Sequence, residues 1–271
     1  MQKEQDYVQK TFNEVANEYD QIPFFKTSAV HVAQMILEHT KLRKLEVLDI
    51  ACGTGNVVLE CASRIPEAHF DAMDISEGML AKAKENATKK KLNNIDFHVQ
   101  DITKLDLNKK YHVITCGYSL FLLPDVVAVL KNLLEQLRPM GFIIFTTFTA
   151  EAFSPSIEII LSLLEKYASP SALKHDRNKW QNLKDERDIK RLCTVALVND
   201  MNMHTEAIRY GMNIDAWWAL HNNTEIKGML MELSKEDYAS VKNEYYEAML
   251  KHVDMKEEVE LVADTHFVLV S

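Results

Sequence analysis

The sequence predicts an α/β fold, in which helices cover both faces of a doubly wound, mostly parallel sheet. Five short apolar segments of strand length lie between residues 45 and 149, and helical stretches separate them. Strands that alternate with helices in this way are typical of a parallel sheet. Because crossovers between parallel strands are right-handed, the carboxyl ends of these strands meet at one edge of the sheet, where a binding site is expected.

Two amphipathic helices precede the first strand. Apolar residues recur at steps of three and four from Val8 to Tyr19, and the segment around Pro23 ends this first helix. The same spacing predicts a second helix over residues 28–38. Residues 1–40 are therefore expected to form an N-terminal helical segment, which we call the lid.

The central region, residues 41–149, contains the five strands and the helices between them. The predicted strands span residues 45–51, 69–75, 95–102, 111–120 and 141–149. The predicted helices span residues 57–64, 78–90 and 125–137. In the last of these helices, apolar residues from Val126 to Leu137 form one stripe, as expected for a helix that packs on a sheet.

The pattern changes after Thr149. Helices are predicted at residues 157–168, 187–198, 215–233 and 234–250, and strand-like segments at 203–214 and 259–271. Ser234, with Asp237 three residues later, is close to a capping box at the start of the last helix. The chain has no evident repeat or linker, so we expect a single domain. Within it, residues 150–257 form a helical cap with a sixth strand, and residues 258–271 form the final strand.

Composition and charge exclude several classes of protein. The chain has 271 residues, of which 47% are hydrophobic, enough for a sizeable core. Its net charge of -9 argues against a nucleic-acid partner, which requires a basic surface. The four cysteines are widely spaced, so reduced thiols and no metal site are expected. The N-terminus is charged from its start and no apolar run has membrane-spanning length, which indicates a cytoplasmic protein.

The segment VLDIACGTGN, residues 47–56, connects the first strand to a glycine turn. A dinucleotide site would have a third glycine, but Val58 occupies that place. Asp49 at the end of the strand would also face a negatively charged pyrophosphate at short range. Its charge is suited to an ammonium group instead.

The same turn, read as LDIACGTG, resembles the first motif of the class I S-adenosylmethionine-dependent methyltransferases. The resemblance implies that the backbone around Ala51, Cys52, Gly53 and Gly55 lies against the adenosyl and methionyl parts of the cofactor. Asp49 would lie near the amino group, often through water. Glycine is needed because a Cβ would block the approach of the ligand. The family's fold is a Rossmann-like sheet of seven strands, the last of them antiparallel.

Later segments match further motifs of this family in order. Asp74 ends the second strand 21 positions after Gly53, where one carboxylate can accept hydrogen bonds from both ribose hydroxyls. In the segment VQDI, Asp101 would accept from the adenine amino group, with Ile75 and Ile102 on the two sides of the ring.

The motif of the fourth strand, TCGYSLFLLPD, would bring Cys116, Gly117 and Tyr118 beside the reacting sulfonium. His112 stands where the family usually has an aspartate at the start of this motif. In the segment LRPMGFIIF, Met140 replaces the first glycine of the family's usual turn.

The layout is similar to that of the ubiquinone/menaquinone-type small-molecule methyltransferases, in which a tyrosine near the end of the first helix closes over the cofactor. Tyr19 is the matching residue here, and a core aromatic is an equally good interpretation of it. Methyl transfer needs a general base only if the acceptor is protonated. The candidates for catalysis are Tyr118 and His221, and those for acceptor binding are Phe24, Phe25, Ser119, Arg209 and Trp217.

Three of these candidates have plainer alternatives. Arg209 is suited either to a carboxylate clamp or to a surface ion pair. His221 lies in a polar stretch and is either a base or a solvated side chain. Trp217 and Trp218 face different directions on a helix, so one is expected in the core and the other is a candidate for the pocket.

The expected function is in-line methyl transfer from S-adenosylmethionine to a small-molecule acceptor. A non-catalytic protein that binds S-adenosylmethionine or S-adenosylhomocysteine is the alternative, because Asp49, Asp74 and Asp101 bind and do not react. A dehydrogenase is disfavoured by Val58 and Asp49. The sequence leaves open the acceptor, the attacked atom and the oligomeric state.

Overall fold

The computed structural model describes residues 2–105, 109–169 and 179–271. The strands of this described part are β1 (Glu46–Ile50), β2 (His69–Asp74), β3 (Ile95–Val99), β4 (Tyr111–Cys116), β5 (Leu137–Phe148), β6 (Met201–Glu206), β7 (Arg209–Met212), β8 (Val259–Val262) and β9 (Thr265–Val270). Its α-helices are α1 (Gln2–Val15), α2 (Phe24–His39), α3 (Asn56–Arg64), α4 (Glu77–Lys90), α5 (Val126–Glu135), α6 (Ser156–Tyr167), α7 (Glu186–Ala196), α8 (Ile214–Asn222), α9 (Ile226–Leu230) and α10 (Lys235–Met249).

Seven strands form one sheet in the order β3-β2-β1-β4-β5-β9-β6. Strands β1 to β5 are parallel, and β9 runs antiparallel to both of its neighbours, β5 and β6. Side chains alternate between the two faces of a strand, and Val47, Leu48 and Ile50 of β1 are all at most 1% exposed, so both faces of the sheet are covered. The predicted fold, a mostly parallel seven-stranded sheet with helices on both faces, is confirmed.

Several helices begin at side chains that satisfy their first amide groups. Ser76 accepts a hydrogen bond from the Met79 amide at the start of α4, and Asp125 caps α5 in the same way. Ser234 accepts from the Asp237 amide at the start of α10, as its sequence predicts. Such caps each stabilise a helix by about 1 kcal/mol. None of the described helices is both long enough and apolar enough to span a bilayer.

Three predicted elements are interrupted in the structure. The segment 203–214 divides into β6 and β7, which belong to different sheets, and the segment 259–271 divides into β8 and β9. Asp264 lies between β8 and β9, and Ile208 lies between β6 and β7. The carboxylate of Asp264 accepts a hydrogen bond from the Ile208 amide at 3.1 Å, so the two interruptions are in contact. The helix predicted at 215–233 is α8 followed by α9, because the polar residues 222–224 interrupt its apolar stripe.

Charged side chains form a cluster on β1, β2 and the segment before β4. Lys109 Nζ lies 2.6 Å from Glu46 Oε2 and 2.7 Å from Asp71 Oδ2. Tyr111 donates to the same Asp71 oxygen at 3.1 Å. Burial raises the pKa of Asp71, but Lys109, His98 and Tyr111 outweigh it and hold this pKa below the ordinary value. The ammonium of Lys109 therefore supplies the counter-charge for two carboxylates.

We expect Lys109→Met to lower the free energy of unfolding by about 1–2 kcal/mol at neutral pH, a range reduced for the partial exposure of the lysine. The physical cause is the loss of the cation that faces Glu46 and Asp71. Denaturant unfolding of this variant should be compared with that of Lys110→Met, the exposed neighbour. Because the pKa of Asp71 is lowered by folding, its contribution is lost as pH falls below about 4, and the two variants should then converge. Equal stability of both variants at neutral pH would contradict the assignment.

Candidate cofactor and acceptor site

A cavity of about 190 Å³ lies at the carboxyl edge of the parallel strands. Its walls include the segments that follow β1, β2, β3 and β4, the end of β5, and parts of α1, α2, α8 and α9. Parallel strands bring their carboxyl ends together, which is why motifs far apart in sequence meet here. One end of the cavity carries the polar groups of the strand ends, and the other is mainly aromatic.

The turn after β1 has an unusual backbone. Ala51, Gly53 and Gly55 have φ values of 49°, 56° and 90°, in the left-handed region that favours glycine. Ala51 and Gly53 lie on the cavity wall. A Cβ on Gly55 would lie 3.2–3.3 Å from Leu59 and Ala83, so this glycine also permits close packing of α3 and α4.

Asp74, the last residue of β2, fixes this turn. Its Oδ2 accepts a hydrogen bond from the Gly53 amide at 2.8 Å, and its Oδ1 accepts from the Ser76 amide at 2.8 Å. The side chain is 7% exposed and lies on the cavity wall. Burial raises the pKa of this carboxyl group, while the amides of Ser76 and Gly53 act in the opposite direction. Each carboxylate oxygen keeps a lone pair for a hydroxyl of a ligand.

Asp49 lies behind the glycine turn rather than on the cavity wall. It is 1% exposed, and its Oδ1 accepts from Thr115 Oγ1 at 2.7 Å. Among the described residues, its Oδ2 has no hydrogen-bond partner. Burial raises the pKa of Asp49 to about 7, although Thr115 and the nearby Val58 amide lower it in part. A buried carboxylate oxygen without a partner suits a cationic group, so this site fits the ammonium of the cofactor that the sequence resemblance implies.

The segment after β3 supplies a second polar wall. Asp101 lies on the cavity and accepts from the Thr103 amide at 2.9 Å, with Lys104 Nζ 3.0 Å from its other oxygen. Burial raises its pKa, but Thr103 and Lys104 outweigh this effect and hold the pKa below the ordinary value. Asp101 is therefore ionised at neutral pH and can accept from an amino group. Ile75 and Ile102 add apolar surface to the same wall.

Helix α1 covers this end of the cavity and is fixed to the strand ends. Gln9 donates to the Ile75 carbonyl at 2.8 Å. Asn13 Oδ1 accepts from Ser76 Oγ at 2.7 Å and from the Gly78 amide at 2.9 Å. Tyr19 lies on the cavity wall and stacks on Phe25, with ring centroids 4.8 Å apart.

Asp20 fastens the segment after α1 to the glycine turn. Its Oδ1 accepts from Thr54 Oγ1 at 2.5 Å, and its Oδ2 accepts from Asn86 Nδ2 at 2.8 Å. Asn56 Nδ2 lies 3.4 Å from the first of these oxygens. This single carboxylate thus connects the covering segment to the loop before α3 and to α4.

We expect Asp20→Ala to speed the dissociation of S-adenosylmethionine by about tenfold, since hydrogen bonds to a carboxylate that close the covering segment are lost. Stopped-flow displacement of the bound cofactor measures this rate. Glu18→Ala is the matched control, because the exposed Glu18 side chain does not cap the adjacent turn. If both variants released the cofactor at the wild-type rate, Asp20 would have no role in closure.

The other end of the cavity is aromatic. Tyr118 stacks on Phe148 with ring centroids 4.3 Å apart, and Phe24 lies edge-on to both rings. The aromatic side chains on this part of the wall are Phe24, Phe25, Tyr118, Phe121, Phe148 and Phe153. Ser119 also lines the cavity, and its hydroxyl donates to the Gly117 carbonyl at 3.1 Å. No lysine or arginine is found among the described residues of the wall.

The two predicted catalytic residues both lie on the cavity. The hydroxyl of Tyr118 is 2.8 Å from Thr265 Oγ1, and burial raises its pKa well above the ordinary value. Tyr118 therefore presents its ring to the cavity and is poorly suited to accept a proton. His221 is 2% exposed rather than solvated, and its Nε2 lies 2.7 Å from Ser156 Oγ.

Two predicted acceptor-binding residues lie outside the cavity. Arg209 is on the surface of β7, where its guanidinium contacts both carboxylate oxygens of Asp264, at 3.2 and 2.7 Å. The predicted carboxylate clamp at Arg209 is therefore wrong, and the alternative, a surface ion pair, is found instead. Trp217 is fully buried and donates from Nε1 to the Val259 carbonyl at 3.2 Å. Trp218 is also buried, against Tyr245 and its neighbours, so neither tryptophan faces an acceptor.

Several residues implied by the motifs lie just behind the wall. Cys52 and Cys116 are buried, and burial raises the pKa of both thiols, that of Cys116 to about 12. Neither is suited to act as a nucleophile. At Gly117, a Cβ would lie 3.3 Å from Val57, so this glycine permits close packing of the strand-four motif on α3.

Sequence reasoning missed polar residues both on the cavity wall and behind it. Those on the wall include Gln100, Thr103, Thr224 and Glu225, and those behind it include Asp20, Ser156 and Tyr245. Asp20 directly follows Tyr19, the residue matched to the tyrosine that closes over the cofactor in similar enzymes. An acidic residue at that position could have indicated a contact between the covering segment and the glycine turn. Ser156 and Tyr245 lie 89 positions apart. No local pattern connects them.

Several known proteins are similar to this chain in sequence or in fold. Residues 41–208, more than half of the chain, match the family described as "Methyltransferase domain". The chain is 28% identical over 234 residues to a malonyl-[acyl-carrier protein] O-methyltransferase of Bacillus cereus, covering 84% of this chain and 78% of that protein. It is 29% identical over 168 residues to a demethylmenaquinone methyltransferase of Lactococcus lactis, covering 60% and 65% of the two chains.

A solved structure extends the likeness over almost the whole chain. The plantazolicin methyltransferase BpumL, in complex with SAH, has a TM-score of 0.56 and 17% identity, covering 99% of this chain and 95% of that one. At this identity the likeness concerns the fold. Together with the family match and the glycine turn that fits the cofactor, it leads to one conclusion. The chain belongs to the methyltransferase domain family and is an S-adenosylmethionine-dependent methyltransferase.

Proposed function

We propose that this enzyme methylates a small, mainly apolar molecule that carries no carboxylate or phosphate beside the attacked atom. The observation that supports the proposal is the composition of the acceptor end of the cavity. Six aromatic side chains lie on its wall, and none of the described wall residues is a lysine or arginine. A buried anion requires a cationic partner, whereas an apolar ring is stabilised by contact with aromatic walls.

We propose the following roles at the cofactor end. Asp74 accepts from the ribose hydroxyls, and Asp101 accepts from the adenine amino group between Ile75 and Ile102. Ala51 and Gly53 bring their backbone against the ligand, and Asp49 balances the charge of its ammonium group. When bound, the cofactor supplies an electrophilic methyl group on a cationic sulfur.

The chain's own contribution to the reaction is alignment and exclusion of water. Phe24, Phe25 and the Tyr118 ring would hold an apolar acceptor at the strand-four end, with Ser119 as a polar neighbour. Helix α1 and the Asp20 contacts would close the cofactor end. In this arrangement residues 1–40 act as the lid, residues 41–149 hold the cofactor, and residues 150–257 complete the acceptor pocket, with residues 258–271 supporting the sheet.

The names of the two relatives suggest contrasting acceptors. A malonyl group carries a free carboxylate, whereas demethylmenaquinone is an apolar ring compound with oxygen substituents. The absence of a cationic side chain from the described cavity wall favours the second type of chemistry. No specific observation favours a non-catalytic binding protein.

The test is a comparison of two acceptors with S-adenosylmethionine as the donor. We expect S-adenosylhomocysteine to form with a reduced naphthoquinone, used as an apolar aromatic diol, and not with malonyl-[acyl-carrier protein]. Mass spectrometry of the product should show one added methyl group. Turnover with the malonyl substrate alone would contradict the proposal, and Asp74→Ala serves as the control without a functional cofactor site.

A further inference from the structure

Three polar side chains form a hydrogen-bonded chain that starts at the cavity and leads away from it. His221 Nε2 lies 2.7 Å from Ser156 Oγ, and Ser156 Oγ lies 2.5 Å from the Tyr245 hydroxyl. Their exposures are 2%, 0% and 0%. Of the three, only His221 lies on the cavity wall. The chain connects α8 with the first residue of α6 and with α10.

Among the described residues, the two hydroxyl protons of this chain can be arranged in one way that leaves neither of them without an acceptor. If Tyr245 donates to Ser156 and Ser156 donates to His221 Nε2, both hydroxyl protons are used. If His221 instead donates from Nε2, either the Ser156 or the Tyr245 proton has no acceptor among the described residues. A buried donor without a partner costs about 1–3 kcal/mol, which selects the first arrangement.

The selected arrangement fixes the tautomer of the imidazole. With Nε2 accepting, a neutral His221 carries its proton on Nδ1. In the described part of the chain, Nδ1 of His221 has no hydrogen-bond partner. It is also absent from the fully buried polar atoms without a partner, so Nδ1 is accessible to some extent. Since His221 lies on the cavity wall and is otherwise buried, its Nδ1 reaches the cavity.

We infer that His221 is a fixed hydrogen-bond donor, whose Nδ1–H binds a carbonyl or phenol oxygen of the methyl acceptor. The inference rests on the proposed function, which it makes more specific. It also replaces the general base, one of the two alternatives that the sequence left open for this residue, because a donor N–H cannot accept a proton. His221 would orient the acceptor in front of the cofactor, and Ser156 and Tyr245 would be positioning residues that act through it.

The surroundings of the ring keep it neutral. Burial lowers the pKa of His221 to about 3, and its closest ring neighbours are Trp217 and Tyr245. Glu225 lies on the same cavity wall. A buried N–H donor discriminates strongly, because an acceptor molecule without an oxygen would leave that donor unpaired.

The tautomer can be measured without knowledge of the acceptor. Nitrogen-15 NMR of the full chain should show a protonated, pyrrole-type Nδ1 and a pyridine-type Nε2 for His221 at neutral pH, with the signals assigned from their loss in His221→Phe. Ser156→Ala should release the preference and yield both tautomers. A protonated Nε2 with a pyridine-type Nδ1, or an imidazolium ion, would overturn the inference.

Ligand selection is the second readout. In protein saturated with S-adenosylhomocysteine, we expect acetophenone to bind about five- to tenfold more tightly than ethylbenzene. This ratio of dissociation constants corresponds to the free energy of one neutral hydrogen bond. His221→Phe should abolish this preference, and His221→Asn, which keeps an N–H donor, should retain part of it. His204→Phe is the matched control, since His204 stacks on Phe267 and is not on the cavity wall.

The two readouts distinguish the inference from the proposed function. Equal binding of the two probes to the wild-type protein would overturn the donor role, even if methyl transfer to an apolar acceptor were observed. Conversely, turnover of malonyl-[acyl-carrier protein] would overturn the proposed function and leave the tautomer measurement valid.

Discussion

Replacement of Asp74 by alanine is expected to weaken the binding of S-adenosylmethionine by at least about 100-fold, because two charge-assisted hydrogen bonds to the ligand would be lost, each contributing about 1.5–3 kcal/mol. The variant also frees the Gly53 and Ser76 amides, which Asp74 holds at 2.8 Å. The glycine turn would therefore lose the contact that keeps its backbone in the shape the ligand requires. Calorimetric titration of the cofactor into the purified variant measures the effect.

The matched control is Asp96→Ala, which removes an acid from the neighbouring strand β3. Its side chain is 65% exposed and faces His69, away from the cavity. Thermal unfolding of both variants shows whether the fold is retained. A folded Asp74→Ala protein with wild-type affinity would mean that the ribose is bound elsewhere.

The sheet could be predicted largely because its signals are local. Each of the first five strands contains an apolar run next to a turn or a capped helix, and β1 to β5 all overlap the predicted segments. However, β4 ends at Cys116 rather than at residue 120, and β5 begins at Leu137 rather than at residue 141. Asp74 and Asp101 are found on one cavity wall for the same reason, since each stands at or just after the end of a parallel strand. Their roles toward the cofactor stay predictions.

The cap resisted prediction because its contacts are non-local. Arg209 pairs with Asp264, which is 55 positions later in the sequence. The two residues lie at the points where the predicted strands 203–214 and 259–271 are interrupted. The environment of His221 depends on Ser156 and Tyr245, which belong to two other helices. A polar stretch around His221 suggested solvent, whereas tertiary packing buries the ring.

Asp49 is expected to make the stability of the cofactor-free protein depend on pH. Its pKa in the folded protein, raised by burial to about 7, lies above its ordinary value of about 3.9. Between these values the folded protein retains a proton that the unfolded chain has released. The free energy of unfolding should therefore fall as pH rises from about 4 to about 7. Asp49→Asn should remove most of this slope in denaturant unfolding.

The same carboxyl group should couple cofactor binding to proton release. Near pH 6.5 the α-amino group of S-adenosylmethionine is already protonated, because such groups titrate at about 7.7–8.0. An ammonium near Asp49 favours its ionised form and so expels the proton that the empty site retains. Calorimetry in two buffers with different ionisation enthalpies measures the number of protons released. This number should be about three-quarters of a proton in the wild-type protein, the fraction of a group with a pKa of about 7 that is protonated at pH 6.5.

Asp49→Asn separates this effect from that of the neighbouring Asp74, whose pKa burial also raises. Loss of the proton release in Asp49→Asn would assign it to Asp49, and Asp96→Asn should leave it unchanged. If the wild-type protein released no proton near pH 6.5, the buried carboxylate would not face the ammonium. The unpartnered Oδ2 of Asp49 would then require another explanation, because a buried charge without a partner persists only where a ligand or a proton compensates it.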